Sequence, residues 1–378
     1  MNSKKEEIIK ILSYNILAQN LLKDSLHITD EEIDKINYLN IDYRFNKIFE
    51  TIEQLNPDIC LFQEFEQNGK LKNLFKSKNL AYEIIFKKRP GDHQEGCAIV
   101  YNKKKFRLEY YTCLEFRSVN NINSPETQKY DYYNKNNYFK KYNPALFNKE
   151  NVASIVLLQS YETSFYYLIV CTHLLFNNNR GDIKLGQIYQ LIKAILLIKN
   201  YYKNISITTI LGADLNSSYN SAIYEFITKK ELNVEFLIKY NLSGQNMKEY
   251  ISENSLWDEN FQWYNEIINT YPKFNDYKII LITKKYKKNY YDDNKDKKMI
   301  LENKLVMKSF YKEKNGKEPN ITSYSTSFKG TLDFLFYNTD LNIEINKVLD
   351  IPELNHDIPD INHPSDHLPL FAEFKIHK

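Results

Sequence analysis

Apolar runs that stop on a carboxylate, an amide or an imidazole recur along this chain. They constrain its fold more than any other feature. Asn15 follows Ile11-Leu12-Ser13-Tyr14, and Glu64 follows Ile59-Cys60-Leu61-Phe62-Gln63. His173 follows Leu168-Ile169-Val170-Cys171-Thr172, and Asp214 and Asn216 follow Thr209-Ile210-Leu211-Gly212-Ala213. Asp333 lies inside Thr331-Leu332-Asp333-Phe334-Leu335-Phe336, and Asp366-His367 precedes Leu368-Pro369-Leu370. Such runs read as buried strands. An acid inside or just beyond a buried strand costs several kcal/mol unless it is paired or binds a metal. One such acid can be an accident of a sheet edge. Six such sites, holding only Asn, Glu, Asp and His, predict a single polar cleft. Each signal is weak alone: a lone Ser-Asp-His is a poor motif, Asp-x-Asn most often caps a turn or helix, and an isolated His173 is more often a hydrogen-bonded core histidine.

Residues 8–16, 59–62, 97–101, 153–158, 166–172, 206–211, 331–337 and 370–374 read as strands. Residues 44–55 put Phe45, Ile48, Phe49, Ile52 and Leu55 on one helical face, and Pro57-Asp58 ends that helix. Residues 182–199 do the same with Ile188, Leu191, Ile192, Ile195 and Leu196. Strands and helices alternate in places, but hairpin-like strand pairs intervene. The expected fold is therefore an α/β sandwich with mixed sheets rather than a purely parallel sheet. A length of 378 residues fits two domains or one large α/β domain with insertions. Residues 120–143 are rich in Asn, Lys and Tyr, and 283–320 carry Lys284-Lys285, Lys287-Lys288 and Lys297-Lys298 among acids. Both read as solvated loop insertions.

Lys and Arg number 51 against 48 Asp and Glu, a net charge of +3, so any basic surface for a nucleic acid must be local. No stretch approaches the ~20 apolar residues of a membrane-spanning helix. Residues 1–10 are mostly charged and lack the apolar core of a secretory signal. Cys60, Cys97, Cys113 and Cys171 form no C-x-x-C pair, and three of them lie in apolar runs. Free reduced thiols are expected, consistent with cytoplasm or nucleus rather than secretion, and a zinc site is not.

The order of these features resembles the endonuclease/exonuclease/phosphatase superfamily with its DNase I-like fold. Within it they are most similar to the branch of Angel proteins, nocturnin and Ccr4-type deadenylases, and to the Angel proteins above all. Ser13-Tyr14-Asn15-Ile16-Leu17-Ala18-Gln19, Pro57-Asp58-Ile59-Cys60-Leu61-Phe62-Gln63-Glu64, Glu95-Gly96-Cys97-Ala98 and Asn151-Val152-Ala153 carry the likeness. So do Thr172-His173-Leu174-Leu175-Phe176-Asn177, Arg180-Gly181-Asp182-Ile183-Lys184-Leu185, Asp214-Leu215-Asn216-Ser217, Thr331-Leu332-Asp333-Phe334 and Ser365-Asp366-His367-Leu368-Pro369-Leu370. The likeness spans about residues 11–374 and implies a single domain, 1–378, built as a four-layer α/β/β/α sandwich of two mixed sheets. Three positions depart from the pattern: Asn178 stands where Angel-like proteins usually have Pro, Ala213 replaces a Gly, and Glu95 replaces an Asp.

The resemblance implies roles. Glu64, Asn15 and Asp366 would hold Mg²⁺, or Mn²⁺, and oxygen-only ligands suit those ions. His367 would be held by Asp333 and hydrogen-bond the phosphate. Asp214 would orient or activate the attacking water, and Asn216 and His173 would donate to the phosphate. Asn151, Arg180 and Phe328 would bind substrate, Phe328 by stacking on a base. Packing under a loop is an equal reading for Phe328. The implied activity is Mg²⁺-dependent phosphoester hydrolysis at RNA 3′ ends, by a 3′–5′ exonuclease or a 2′,3′-cyclic phosphatase. Fold alone leaves open an abasic DNA endonuclease or an inositol phosphatase. A different class also stays open: a catalytically quiet adaptor for RNA or translation factors. No membrane partner is implied.

Overall fold

The computed structural model describes residues 6–116, 149–235, 237, 241–245 and 299–378. Its strands are β1 Glu6–Asn15, β2 Ile59–Glu66, β3 Tyr82–Lys88, β4 Glu95–Asn102, β5 Phe106–Glu115, β6 Val152–Ser160, β7 Tyr166–His173 and β8 Ile207–Asp214. They continue as β9 Glu231–Asn233, β10 Ile300–Glu302, β11 Lys308–Ser309, β12 Ser323–Ser325, β13 Phe328–Gly330, β14 Asp333–Asn338, β15 Asn342–Val348 and β16 Leu370–His377. Two six-stranded sheets form the body, ordered β15-β16-β1-β2-β4-β3 and β11-β14-β8-β7-β6-β5. Each is mixed: β1 runs parallel to β2 and β7 parallel to β8, while their other neighbours are antiparallel.

Period-two alternation sorts side chains between the layers. Ile9, Ile11, Ile59, Leu61 and Ile99 of the first sheet meet Val156, Leu158, Ile169, Ile210 and Leu335 of the second in a core between the sheets. The opposite face of the first sheet, with Leu12, Cys60, Phe62 and Val100, is covered by Phe45, Ile48, Phe49 and Ile52 of the helix Ile41–Leu55 and by Leu71 and Phe75 of Lys70–Ser77. The outer face of the second sheet is covered by the long helix Gly181–Tyr201 and by Ala222–Thr228. Stacked in order, these are the four layers α/β/β/α.

The strands read from sequence are the central ones. The structure adds β3, β5, β11 and β15, which form the four edges of the two sheets. β2 also runs past Gln63-Glu64 to Glu66 through a register shift between Phe62 and Phe65. The second loop insertion is corrected in part. Residues 299–320 hold β10, β11 and a short helix Phe310–Asn315. Met299, Leu301, Leu305, Met307, Phe310 and Tyr311 are all at most 2% exposed. These apolar residues alternate with Lys and Glu, which hid them in a charged composition. Residues 120–143 and 283–298 lie outside the described residues. The four cysteines are free, and three are buried. Among the described residues, no helix is long and apolar enough to cross a membrane.

The sheets approach tightly just behind the polar strand ends. A Cβ on Gly212 of β8 would stand 2.5 Å from Leu61 Cδ1 and 2.6 Å from Ser13 Oγ of the facing sheet. Gly212→Ala should therefore wedge the layers apart and destabilise the fold by about 1–3 kcal/mol, as overpacked cores do. Urea denaturation checks this, and an unchanged midpoint would refute the close approach.

Candidate active site

Strand register alone lines up most of the polar residues. β7 and β8 pair His173 with Asp214, and β8 and β14 pair Asp214 with Asp333, so the three stand side by side across the second sheet. In the first sheet Asn15 pairs with Gln63, next to Glu64. Asp366-His367 enters three residues before β16, whose Leu370 pairs with Ser13 of β1. An isolated bridge from His367 to Ser323 ties that entry to the β12–β13 hairpin.

The two rows meet at Asp214. Asn15 Nδ2 donates to Asp214 Oδ2 at 2.9 Å and to Glu64 Oε1 at 3.1 Å, joining the sheets. His173 Nε2 and His367 Nε2 lie 3.4 Å and 3.7 Å from the same Asp214 oxygen. His367 Nδ1 donates to Asp333 Oδ2 at 2.7 Å, and Thr322 Oγ1 donates to that oxygen as well, also at 2.7 Å. The Asn216 amide donates to Leu174 O at 3.0 Å and stands 2.9 Å from His173 Nε2. With that nitrogen accepting, a neutral His173 carries its proton on Nδ1, toward Glu64 Oε1 at 3.9 Å. Glu64, Asn216 and Leu17 all adopt φ near +50° (54°, 45° and 51°), a conformation that non-glycine residues rarely take. At Glu64 this is the price of the bulge in β2, which turns its carboxylate into the cleft, where Ala18 N–H donates to Oε2 at 3.0 Å.

Four acids at this seam set the electrostatics. Burial would raise Asp214, but His173, His367 and the Asn15 and Asn216 hydrogen bonds outweigh it and hold the carboxyl below its ordinary value. Burial pushes Asp333 up to about 6 against the pull of His367. Burial alone would discharge His367; Asp333 and Asp214 overcome it and hold the imidazole well above its usual pKa. His367 is therefore an imidazolium clamped between two carboxylates. Glu64 is raised by burial, with His173 opposing and Asp366 adding to the rise.

Among the described residues Asp366 Oδ1 is buried without a hydrogen-bond partner, while Ser25 Oγ donates to Oδ2 at 2.8 Å. An orphaned carboxylate oxygen beside a second acid whose charge is disfavoured fits a hard divalent cation. Asp214, Asp333 and His367 also offer donor atoms within 4.8 Å of one another. There, however, Nδ1 of His367 is spent on Asp333 and the ring is cationic, so that trio suits proton handling rather than a metal. Asn15, expected to offer its oxygen, works here as a donor between Glu64 and Asp214. Its Oδ1 accepts Leu17 N–H at 3.1 Å and keeps one lone pair. The physical reason is that two facing carboxylates need N–H donors between them.

Residues expected to bind substrate are placed unevenly. Asn151 is 3% exposed and spends its amide internally, donating to His173 O at 3.2 Å and accepting from Gln187 Nε2 at 3.1 Å. Arg180 forms a two-bond fork to Asp182, both at 3.0 Å, ahead of the helix Gly181–Tyr201. Phe328 is half-buried on β13, with its ring lying against the Gly330 backbone. Sequence reasoning missed Thr322, Ser25, Lys184, Gln187 and Arg44. A signal for two of them existed: Lys184 and Gln187 sit four residues before Ile188 and Leu191, so they continue the apolar face of their helix.

Asp333→Asn removes the carboxylate that does most to raise His367. Burial, which favours the neutral ring, is then opposed chiefly by Asp214, so the pKa of His367 should fall. Imidazole NMR titration reads this directly, and an unchanged or higher value would refute the clamp.

The endonuclease/exonuclease/phosphatase family matches residues 12–367. Protein angel homolog 2 of Bos taurus is 30% identical over 239 residues, 62% of this chain but only 39% of the cattle protein. Carbon catabolite repressor protein 4 homolog 3 of Arabidopsis thaliana is 26% identical over 373 residues, covering 97% of this chain and 75% of the plant protein. Among solved structures, ANGEL2, described as a 2′,3′-cyclic phosphatase in complex with adenosine-2′,3′-vanadate, superposes with a TM-score of 0.70 at 24% identity, covering 100% of this chain and 99% of its own. The human nocturnin catalytic domain follows with a TM-score of 0.57 at 17% identity, covering 99% and 97%. The family match, spanning nearly every strand and both rows of the cleft, shows that the chain belongs to the endonuclease/exonuclease/phosphatase family of phosphoester hydrolases.

Proposed function

We propose that this cleft hydrolyses a phosphoester at the 3′ end of RNA, with Mg²⁺ or Mn²⁺ held by Glu64 and Asp366 and by the remaining Asn15 lone pair. Residues 1–378 are taken as one catalytic unit. The observation that carries this reading is the convergence on Asp214 Oδ2 of Asn15 from one sheet and of His173 and His367 beside it. The cation, when bound, supplies Lewis-acid polarisation of the phosphoryl oxygen. This chain's residues do the rest. Asp214, kept anionic by its histidines, accepts a hydrogen bond from the attacking water and orients it toward phosphorus. The His367 imidazolium donates to a phosphate oxygen, and the Asn216 amide and His173, which face each other without substrate, would turn from that contact to donate as well.

Two reactions fit those groups. One water opens a 2′,3′-cyclic phosphate to a monoester and a second water releases inorganic phosphate from it, or one water attacks the last phosphodiester and releases a nucleotide. Similarity to ANGEL2, described as a 2′,3′-cyclic phosphatase, supports the first, and the resemblance to Ccr4-type deadenylases supports the second. The exonuclease must grip each new terminal base, and Phe328, the residue expected to stack on one, is half-buried with its ring against the Gly330 backbone. We therefore favour the cyclic phosphatase.

Two 5′-labelled RNAs of one sequence, ending in a 3′-hydroxyl poly(A) or in a cyclic phosphate, separate the cases. Loss of terminal phosphate without shortening is the expected result. A shortening ladder on the first RNA would shift the assignment to the nuclease. Inactivity on both, with cleavage of abasic DNA or an inositol phosphate, would overturn the RNA reading. Glu64→Ala should abolish turnover while leaving the thermal midpoint equal or higher, because it relieves repulsion with Asp366. Full wild-type activity in excess chelator would contradict the metal role.

A further inference from the structure

Two polar side chains buried in the long helix Gly181–Tyr201 take no part in the chemistry above, yet both touch it. Lys184 and Gln187 lie one turn apart and are 0% exposed, in a helix that otherwise buries mostly aliphatic residues. Burying an ammonium and an amide there is costly unless each is fully used. Lys184 Nζ donates to the backbone carbonyl of Asn216 and lies 3.3 Å from Gln245 Oε1. Gln187 Oε1 accepts Leu175 N–H at 3.0 Å, and its Nε2 donates to Asn151 Oδ1 at 3.1 Å. Asn151 Nδ2 in turn donates to His173 O at 3.2 Å. Burial pulls Lys184 down to about 7, with Asp214 opposing, so the ammonium is costly to hold there.

We propose that Lys184 and Gln187 are positioning residues of the phosphate site: Lys184 fixes Asn216, and Gln187, through Asn151, fixes His173. The proposal rests on the phosphoester-hydrolase reading of the cleft. Asn216 is a non-glycine residue at φ 45°. Its N–H donates to Asp214 Oδ1 at 2.8 Å and its carbonyl is held by Lys184, so it is pinned on both sides in a conformation it would otherwise leave. Pinned this way, its amide reaches His173 Nε2 at 2.9 Å. The two prongs meet at His173, which is held at its backbone through Asn151 and at its ring by Asn216. A Met at either helix position would fill similar space without those hydrogen bonds, so packing alone does not account for the residues present.

The test uses the full chain labelled with ¹⁵N-histidine, in wild type, Lys184→Met and Gln187→Met. The His173 imidazole resonances should shift or broaden in both variants, while those of the exposed His356 stay in place. On the RNA ending in a cyclic phosphate, kcat should fall about 10- to 100-fold with KM within about twofold, the signature of a displaced donor rather than lost binding. A lower melting temperature with unchanged His173 signals and unchanged kcat would reduce both residues to packing and overturn the proposal. If Lys184→Met does not fold, Lys184→Gln, which keeps a shorter donor, should show a smaller shift of the same resonance, and no shift would count against the proposal. The NMR readout needs no substrate, so failure of the RNA assignment and failure of the positioning role give different results.

Discussion

The bond from Asn15 to Asp214 is the point on which the rest of this structure turns. It crosses from one sheet to the other just beyond the tight contact at Gly212. It also puts a donor between Glu64 and Asp214, two of four acids crowded at that seam. Buried carboxylates in such number would drive the sheets apart unless positive or donor groups were interleaved. The fold supplies them as alternating charge: Asn15 between Glu64 and Asp214, His173 and His367 beside Asp214, and His367 again against Asp333. Asp366 is left over, with one oxygen orphaned. That surplus of negative charge is where the proposed cation would sit.

The sandwich delivers this arrangement through register and support rather than through a local motif. Parallel pairing of β1 with β2 and of β7 with β8 places the ends of neighbouring strands at one edge of each sheet, and antiparallel β14 and β16 bring Asp333 and His367 back to it. Arg44, fully buried, binds the carbonyls of Ile16, Leu17 and Pro364, so the segment after β1 and the one carrying Asp366-His367 are held by a single side chain. Burial lowers that guanidinium only to about 10, so it stays charged beside the acids. Ser365 Oγ adds a second tie, donating to Asn15 O at 2.7 Å.

How much of this was legible in the sequence follows from burial. Central strands such as β7 and β8 are covered on both faces, so they read as unbroken apolar runs, and a polar residue at their ends stands out. Edge strands such as β3 and β15 are half exposed and carry Lys, Glu and Asn, as edges that resist mispairing do, so they give no unbroken apolar run to read. The convergence of the polar ends was legible because six independent runs repeated it. The bulge at Glu64 was not, since it depends on pairing with β4 rather than on any local signal. Lys184 and Gln187 escaped because a polar residue on a helix is ordinarily solvated. Their burial comes from the sheet beneath them. Asn151 shows the opposite failure: the residue was found, but its amide is spent supporting His173.

The central proposal is one cation site built by both sheets together, with Glu64 and Asp366 as its principal ligands. Crystals grown with Mn²⁺ and measured at the manganese absorption edge test it most directly, because anomalous scattering locates the ion without reference to any substrate. The account predicts a peak within ligand distance of Glu64 and Asp366 at the mouth of the cleft. A peak centred instead on Asp214, Asp333 and His367, or none in the cleft at saturating Mn²⁺, would contradict it.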